Sequence, residues 1–292
     1  MSDTEVGAEQ RALWNWDSSY PAPAKLNLFL HVVGRRPDGY HALQTVFRFV
    51  DYADQLQFSA RDADGIVLIN PLPGVPPDSD LTLRAARLLR DECGCRQGVD
   101  IRLSKRLPLG GGLGGGSSDA ASVLLALNHL WRLGLPRRRL QEIGLALGAD
   151  VPVFVFGQNA FAEGVGEALQ PLELPEDHYV VLEPPVQVAT AAVFAAPELK
   201  RDSPPMAAAD WAPGVGRNDL VPIVTARFPV VAEYLDWLAR FGEARLTGSG
   251  ACVFAAFSRR QAALEVLARK PAGMRGWYAA GLAEHPLRAL AQ

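Results

Sequence analysis

The stretch Pro108 to Ala121, PLGGGLGGGSSDAA, gathers the residues of this chain best suited to hold a phosphate. Six glycines surround Leu113, and two serines, an aspartate and two alanines follow. Glycine lacks a Cβ and tolerates positive φ, so such a run can bend sharply and bring its backbone against a ligand. The helix formers that come next, ASVLLALNHLW, place a helix N-terminus directly after the glycines. Free N–H groups and the positive end of the helix dipole then face one point, which suits an anion. Three motif patterns compete for these glycines. A Walker A loop needs Gly-Lys-Ser/Thr, and no lysine lies between Gly110 and Ser122. Gly110, Gly112 and Gly115 meet the dinucleotide spacing GxGxxG, yet that fold wants an acidic residue about twenty positions on, and Leu130 to Pro136 offers none. The third is Pro-x-x-x-Gly-Leu-Gly-x-(x)-Ser-Ser-x-Ala, a glycine loop whose serines open a helix.

Phosphoryl transfer asks a protein to position an acceptor, neutralise charge and accept a proton. Ser117, Ser118 and Asp119 stand at the helix opening, where a hydroxyl can meet a phosphate or its magnesium ion, or simply cap the helix. Asp150, in GADVPVFVFG, reads as a carboxylate at a helix end that turns into an apolar strand. It is either a turn residue or a base whose pKa partial burial can tune. Lys25 and Asn27 share one face of a strand pattern, because side chains alternate with period two. A lysine there is an exposed strand residue or, beside a carboxylate, a group that favours the aspartate anion and polarises a hydroxyl. Pro37-Asp38-Gly39 makes a tight turn before Tyr40 and His41, a ring and an imidazole that could stack on and hydrogen-bond a base. Thr247-Gly248-Ser249-Gly250-Ala251 is a second glycine turn, able to aim backbone N–H groups at a phosphate or an acceptor, or to close a plain hairpin.

The elements that must position these residues follow from periodicity. Strand patterns cover Ala24 to Val33, Thr45 to Phe58, Gly65 to Ile69 and Val99 to Lys105, which feeds the glycine loop. Leu81 to Asp91 is helical, with Asp80 placed to cap it. Leu140 to Leu147 gives a short helix stopped by Gly148, and Val151 to Phe156 and Ala160 to Glu163 read as strands. After a Pro- and Glu-rich connection come the strand HYVVLEPP and a long proline-rich segment, Lys200 to Gly216, which reads as a mobile loop or a lid. A helix (Phe228 to Phe241), a strand–turn–strand (Ala244 to Phe257), a helix (Gln261 to Ala268) and a strand (Trp277 to Leu282) complete the order. Two α+β units with a cleft between them are predicted, meeting near residues 150–165. Residues 1–20 form a tail that Trp14 and Trp16 could pin, residues 21–163 the first domain and residues 164–292 the second.

Composition narrows the function classes. A chain of 292 residues with 29 basic and 32 acidic side chains has a net charge of −3, which argues against a general nucleic-acid or membrane-surface binder. The acidic start MSDTEVGAEQR is no signal peptide, and no apolar run approaches the roughly 20 residues of a membrane span, so a cytoplasmic protein is expected. Three cysteines make no disulfide framework, and five scattered histidines make no metal cluster. Any metal is expected to arrive with a nucleotide.

The glycine loop with its opening serines resembles that of the GHMP kinases, small-molecule kinases that include galactokinase, homoserine kinase and mevalonate kinase. The resemblance runs over about residues 20–285. Its specific pieces are PAKLNLFLHVVGRRPDGYHALQTVF, PLGGGLGGGSSDAA, GADVPVFVFG, AFAEGVGE and LTGSGACVF. It implies an α+β fold of two domains, a ribosomal-protein-S5-like N-terminal domain and a ferredoxin-like C-terminal domain with a cleft between them. It implies ATP as co-substrate, with Mg2+ carried on it, and Lys25 and Asp150 as the catalytic pair, Asp150 as base. Pro108, Gly110, Gly111, Gly112, Gly114, Gly115, Gly116, Ser117 and Ser118 would wrap the ATP phosphates. The DGYH segment resembles the branch whose small-molecule acceptor bears a cytidine diphosphate group. There Tyr40 and His41 receive the cytosine, Phe194 closes its opposite face and Thr190 lines the pocket. Asn27 holds the hydroxyl or a neighbouring phosphate, with Gly248, Ser249 and Gly250 on the substrate side. A monomer or weak homodimer is implied, with no nucleic-acid or membrane partner. Asp80 departs from the Asn that relatives often carry near the adenine pocket. Two rivals stand: another GHMP enzyme, expected to lack the Tyr40–His41 pair, and a ligand sensor, expected to lack Lys25 or Asp150.

Overall fold

A computed structural model of the chain describes residues 13–62 and 64–291; of the expected tail, residues 1–12 lie outside the described part. From Leu13 onward the two tryptophans do pin the chain. Trp14 lies 5.1 Å from the Tyr20 ring, and both Trp14 and Trp16 pack on the first core.

Two long strands, β1 (Tyr20–Arg35) and β2 (His41–Arg61), run antiparallel and form the backbone of the first sheet. β3 (Ile66–Leu68), β4 (Gly98–Ser104), β5 (Ala160–Glu163) and β6 (Ala168–Pro171) complete it in the order β3-β4-β2-β5-β6, with β1 on β2. Helix α1 (Leu81–Cys93) opens on Asp80, whose Oδ1 accepts the N–H groups of Thr82 and Leu83 at 2.9 and 3.2 Å. It closes on Gly94 in the left-handed conformation. Helix α2 (Gly115–Leu130) is apolar almost all round, and every residue from Ser118 to Asn128 is buried. A helix hydrophobic on all faces belongs in the middle of a core. Helix α3 (Arg137–Leu145) follows.

Val151–Phe156 corrects the expected strand: it is a helix, α4, with Pro152 in its first turn and Gly157 left-handed at its end. A run of Val and Phe has high strand propensity. Here Val151 to Val155 are buried against α2, α3 and the first core. Tertiary packing overrode a weak local preference.

The second sheet has the order β10-β7-β9-β8, all antiparallel, from β7 (His178–Glu183), β8 (Arg245–Leu246), β9 (Val253–Phe257) and β10 (Arg275–Ala280). Both its faces are covered. Val180 and Leu182 face a core shared with α7 (Pro229–Leu238) and α8 (Arg260–Ala268), whereas Tyr179 and Val181 face Ala24, Leu26 and Val50 of the β1–β2 pair. Burial on both faces explains why HYVVLE runs apolar without alternation. Helices α5 (Thr190–Phe194) and α6 (Val221–Arg227) also join this core; neither has a counterpart in the periodicity reading.

The segment expected as a free loop, 200–216, lies on β1 and β2: Ser203 N–H bonds Val32 O at 3.1 Å, Met206 N–H bonds Gln44 Oε1 at 2.8 Å, and Trp211 stacks on Phe29. Two stretches cross the expected boundary at residue 163. β6 extends the first sheet to Pro171, and residues 282–291 return to the first core through Leu287, Leu290 and Ala291.

Candidate active site

The glycine loop is stitched to the second glycine turn. Ala251 N–H bonds Gly110 O at 3.2 Å and Cys252 N–H bonds Gly111 O at 3.1 Å, so two loops distant in sequence form one wall. Gly112 sits at φ +75°, and a Cβ there would lie 2.1 Å from Thr247 O. A side chain at this position is excluded by both conformation and space. Beyond Gly114, helix α2 begins, and its first internal bond is Ser118 N–H to Gly114 O at 2.8 Å. The N–H groups of Gly115, Gly116 and Ser117 therefore precede the helical ladder, and these residues line the cleft, where such unpaired helix-start donors suit an anion.

Lys25 is 3% exposed. Its ammonium has three donors, and three partners surround it: Asn27 Oδ1 at 2.5 Å, Gly112 O at 3.0 Å and Asp150 Oδ2 at 3.3 Å. The Phe47 ring lies 5.5 Å away on the cation–π side. Asn27 is oriented in turn by donating from Nδ2 to Thr45 Oγ1 at 2.9 Å, while its backbone N–H bonds Thr247 Oγ1 at 3.1 Å. Asp150 stands at the head of α4 without a side-chain capping bond, and its side chain is 34% exposed at the cleft. Strand β1 thus holds the cation in a dry wall, and the turn before α4 presents the carboxylate to it from the open side.

A cleft of about 440 Å³ joins these parts. Of the residues read from the sequence, Lys25, Asn27, Pro108, Gly110 to Gly112, Gly114 to Ser117, Asp150, Thr190, Phe194, Gly248 and Ser249 line it. Thr190 Oγ1 and Ser249 Oγ lie 2.7 Å apart across its far side. Others stand elsewhere. Ser118 is fully buried and its hydroxyl donates to Pro23 O at 2.7 Å, so it ties α2 to β1 and does not face the cleft. Gly250 closes the second turn from behind, its N–H on Thr247 O at 2.9 Å. Tyr40 is 64% exposed beyond the rim. His41 meets Phe194, ring centroids 5.1 Å apart and tilted by 35°. A third ring between two others needs about 7 Å at van der Waals spacing, so nothing fits between this pair as they stand.

Two groups escaped the sequence reading. Lys105 lines the cleft, and its Nζ lies 2.5 Å from Asp54 Oδ2 and 2.6 Å from Asp119 Oδ2. Burial pushes the Asp119 carboxyl pKa up; Lys105 opposes that and Asp54 adds to it. Gly115 leaves room for this cation, since a Cβ there would be 3.1 Å from Lys105 Nζ. Arg201 donates from Nε to His41 Nε2 at 2.9 Å. An arginine only donates, so Nε2 accepts and the His41 proton sits on Nδ1. Burial, then Arg201 and Arg35, hold the His41 pKa below its usual value and keep the ring neutral. Lys105 could have been noticed as a cation at the strand end just before the loop; the pairing of Arg201 with a residue 160 positions earlier leaves no local signal.

A donor-lined loop, a buried lysine and a facing carboxylate between two α+β layers define a phosphotransferase of small molecules. Family models described as "GHMP kinases N terminal domain" and "GHMP kinases C terminal" match residues 80–158 and 208–273. A protein of Dechloromonas aromatica named 4-diphosphocytidyl-2-C-methyl-D-erythritol kinase is 63% identical over 92% of this chain and 98% of its own length. One of Thiobacillus denitrificans with the same name is 62% identical over 92% and 97%. A crystal structure of a 4-(cytidine 5'-diphospho)-2C-methyl-D-erythritol kinase superimposes with a TM-score of 0.74 at 35% identity, covering 90% of this chain and 99% of that one. A mevalonate kinase, at 16% identity and a TM-score of 0.64, shares the fold. The chain belongs to the GHMP kinases, in the family of the 4-diphosphocytidyl-2-C-methyl-D-erythritol kinases. It is a small-molecule kinase with ATP as co-substrate. Among the described residues no helix is long and apolar enough to cross a membrane.

Proposed function

We propose that this kinase transfers the γ-phosphoryl group of ATP to the 2-hydroxyl of 4-diphosphocytidyl-2-C-methyl-D-erythritol, giving the 2-phosphate and ADP, in non-mevalonate isoprenoid precursor biosynthesis. The observation that carries the reaction is the Lys25–Asp150 pair, 3.3 Å apart beside the glycine loop in one cleft. Asp150, on the open side, takes the proton of the acceptor hydroxyl. Lys25 and Asn27 hold that oxygen, and the N–H groups of Gly115 to Ser117 receive the transferring phosphates. The 62–63% identity to kinases named for this substrate supports the choice of acceptor.

Phe194 and Tyr40 take the two faces of the cytosine, and neutral His41 offers Nδ1–H to its edge. Because His41 and Phe194 touch, the base enters against the part of Phe194 that lines the cleft. Among the described residues no three His, Cys, Asp or Glu side chains gather as a metal site. A magnesium ion carried on ATP would be held mainly by the ATP phosphates, with Ser117 Oγ at the cleft as a protein oxygen. Bound there, the ion would neutralise phosphate charge. The two-domain partition at residue 163, with β6 and residues 282–291 as the crossings, a cytoplasmic location and a monomer or weak homodimer complete the reading.

The test is ADP release with Mg-ATP and a panel of acceptors: the diphosphocytidyl compound, homoserine, mevalonate and galactose. Turnover confined to the first is expected. Turnover with another acceptor alone would leave the kinase and remove the cytosine pocket, and silence with ATP still bound would revive a sensor.

A further inference from the structure

We propose that Arg137 is a positioning residue for phosphoryl transfer: it clamps the C-terminal segment 282–291 onto the end of α4 and, through that helix, sets Asp150 against Lys25. The inference rests on the reading of Asp150 as the base.

Helix α4 has six residues, about 9 Å of rise, far below the roughly 12–15 residues at which a helix sustains itself. Its position must come from its surroundings. Its final carbonyls have no helical partner, and Arg137 supplies one: Nη1 donates to Val155 O at 2.7 Å and to Phe156 O at 3.3 Å. The other amino group of the same guanidinium donates to Arg288 O at 2.7 Å and to Ala291 O. One rigid planar fork therefore ties the end of α4 to the returning C-terminal segment. Burial, then Arg288, push the Arg137 pKa down to about 10, which leaves it charged at neutral pH.

The same junction is closed from two further sides. His285 N–H bonds Gly157 O at 2.9 Å, and Asn159 Nδ2 donates to Leu282 O and Ala283 O at 2.8 and 3.0 Å. At the front, Phe154 of α4 abuts the phosphate loop, where a Cβ on Gly114 would lie 2.9 Å from its ring. The helix is thus held between the C-terminal segment behind and the glycine loop in front, with Asp150 on its leading end. A shift of α4 moves the carboxylate relative to Lys25 Nζ. A misplacement of about 1 Å at a reacting group is enough for a loss of about 10²-fold.

The experiment is a double-mutant cycle of Arg137→Met with Asp150→Asn on the full chain. Arg137→Met is expected to lower kcat by about 10- to 100-fold with the KM of the acceptor and Mg-ATP binding little changed. In the Asp150→Asn background it should cost almost nothing more, because it acts through that carboxylate. Arg137→Lys, which keeps the charge but lacks the fork, covers the case in which Arg137→Met does not fold. It should show the same split with a smaller loss. A folded variant with wild-type kcat, or a loss that multiplies fully with that of Asp150→Asn, overturns the proposal. Near-wild-type turnover of Asp150→Asn alone would instead overturn the assignment of the base.

Discussion

Lys25 is the residue on which the site turns, because a buried ammonium is tolerated only when its donors are met. Three partners meet them, and two, Asn27 and Gly112, belong to the walls of the cleft. Removing the third, as Asp150→Asn does, keeps an oxygen near Lys25 but no base. Steady-state kinetics should show kcat lower by about 10²–10⁴-fold, the usual contribution of a general base. Calorimetric titration of Mg-ATP should stay near wild type, since the loop amides do not involve residue 150. Turnover close to wild type would take Asp150 out of the mechanism. Ser117 and Ser118 mark the limit of a linear reading at this scale. Both look alike in the loop, yet the roughly 100° between successive helical residues decides that Ser117 lines the cleft and Ser118 bonds Pro23 O inside.

Among the elements, α1 was fully legible. Its cap, amphipathic stripe and terminal glycine all lie within the local sequence, and the Asp80 carboxylate holds two N–H groups while 5% exposed. Asp80→Ala should cost about 1 kcal/mol, read from denaturant unfolding, whereas Asp80→Asn should stay close to wild type because Asn caps as well as Asp. A larger loss for Asn than for Ala would show that the carboxylate has a task other than capping. Helix α4 was not legible. VPVFVF has the composition of a strand, and what makes it helical lies elsewhere: Arg137 on its last carbonyls and the C-terminal segment against Gly157. β7 stands between the two cases. Its existence could be read from an unbroken apolar run, but its neighbours on each face could not.

At the scale of the molecule, the return of residues 282–291 to the first core buries His285 completely against Phe49 and Phe154. Its Nδ1 accepts Leu287 N–H at 3.1 Å, and burial drives its pKa down to about 3. The unfolded chain takes up that proton near 6.5, so between about 6.5 and 3 the unfolded state binds more protons and stability drops as the pH is lowered. His285→Asn keeps a short acceptor for the same N–H and does not titrate. Between pH 7 and 5 the variant should lose about 2 kcal/mol less unfolding free energy than the parent chain. Parallel losses in the two proteins would mean that His285 is protonated in the folded state.

The local sequence determined the phosphate loop, the strand face shared by Lys25 and Asn27, the cap of α1 and the class of chemistry, because each depends on residues within one or two turns of each other. Tertiary structure alone decided which of these residues meet. It brought Gly112 under Thr247, set Asp150 beside Lys25 at the head of a helix that reads as a strand, and paired Lys105 with Asp54 and Asp119. The physical reason is the same in each case. Partners 14 to 135 residues apart are chosen by the burial of whole sheets and helices, and a local pattern carries no record of what packs against it.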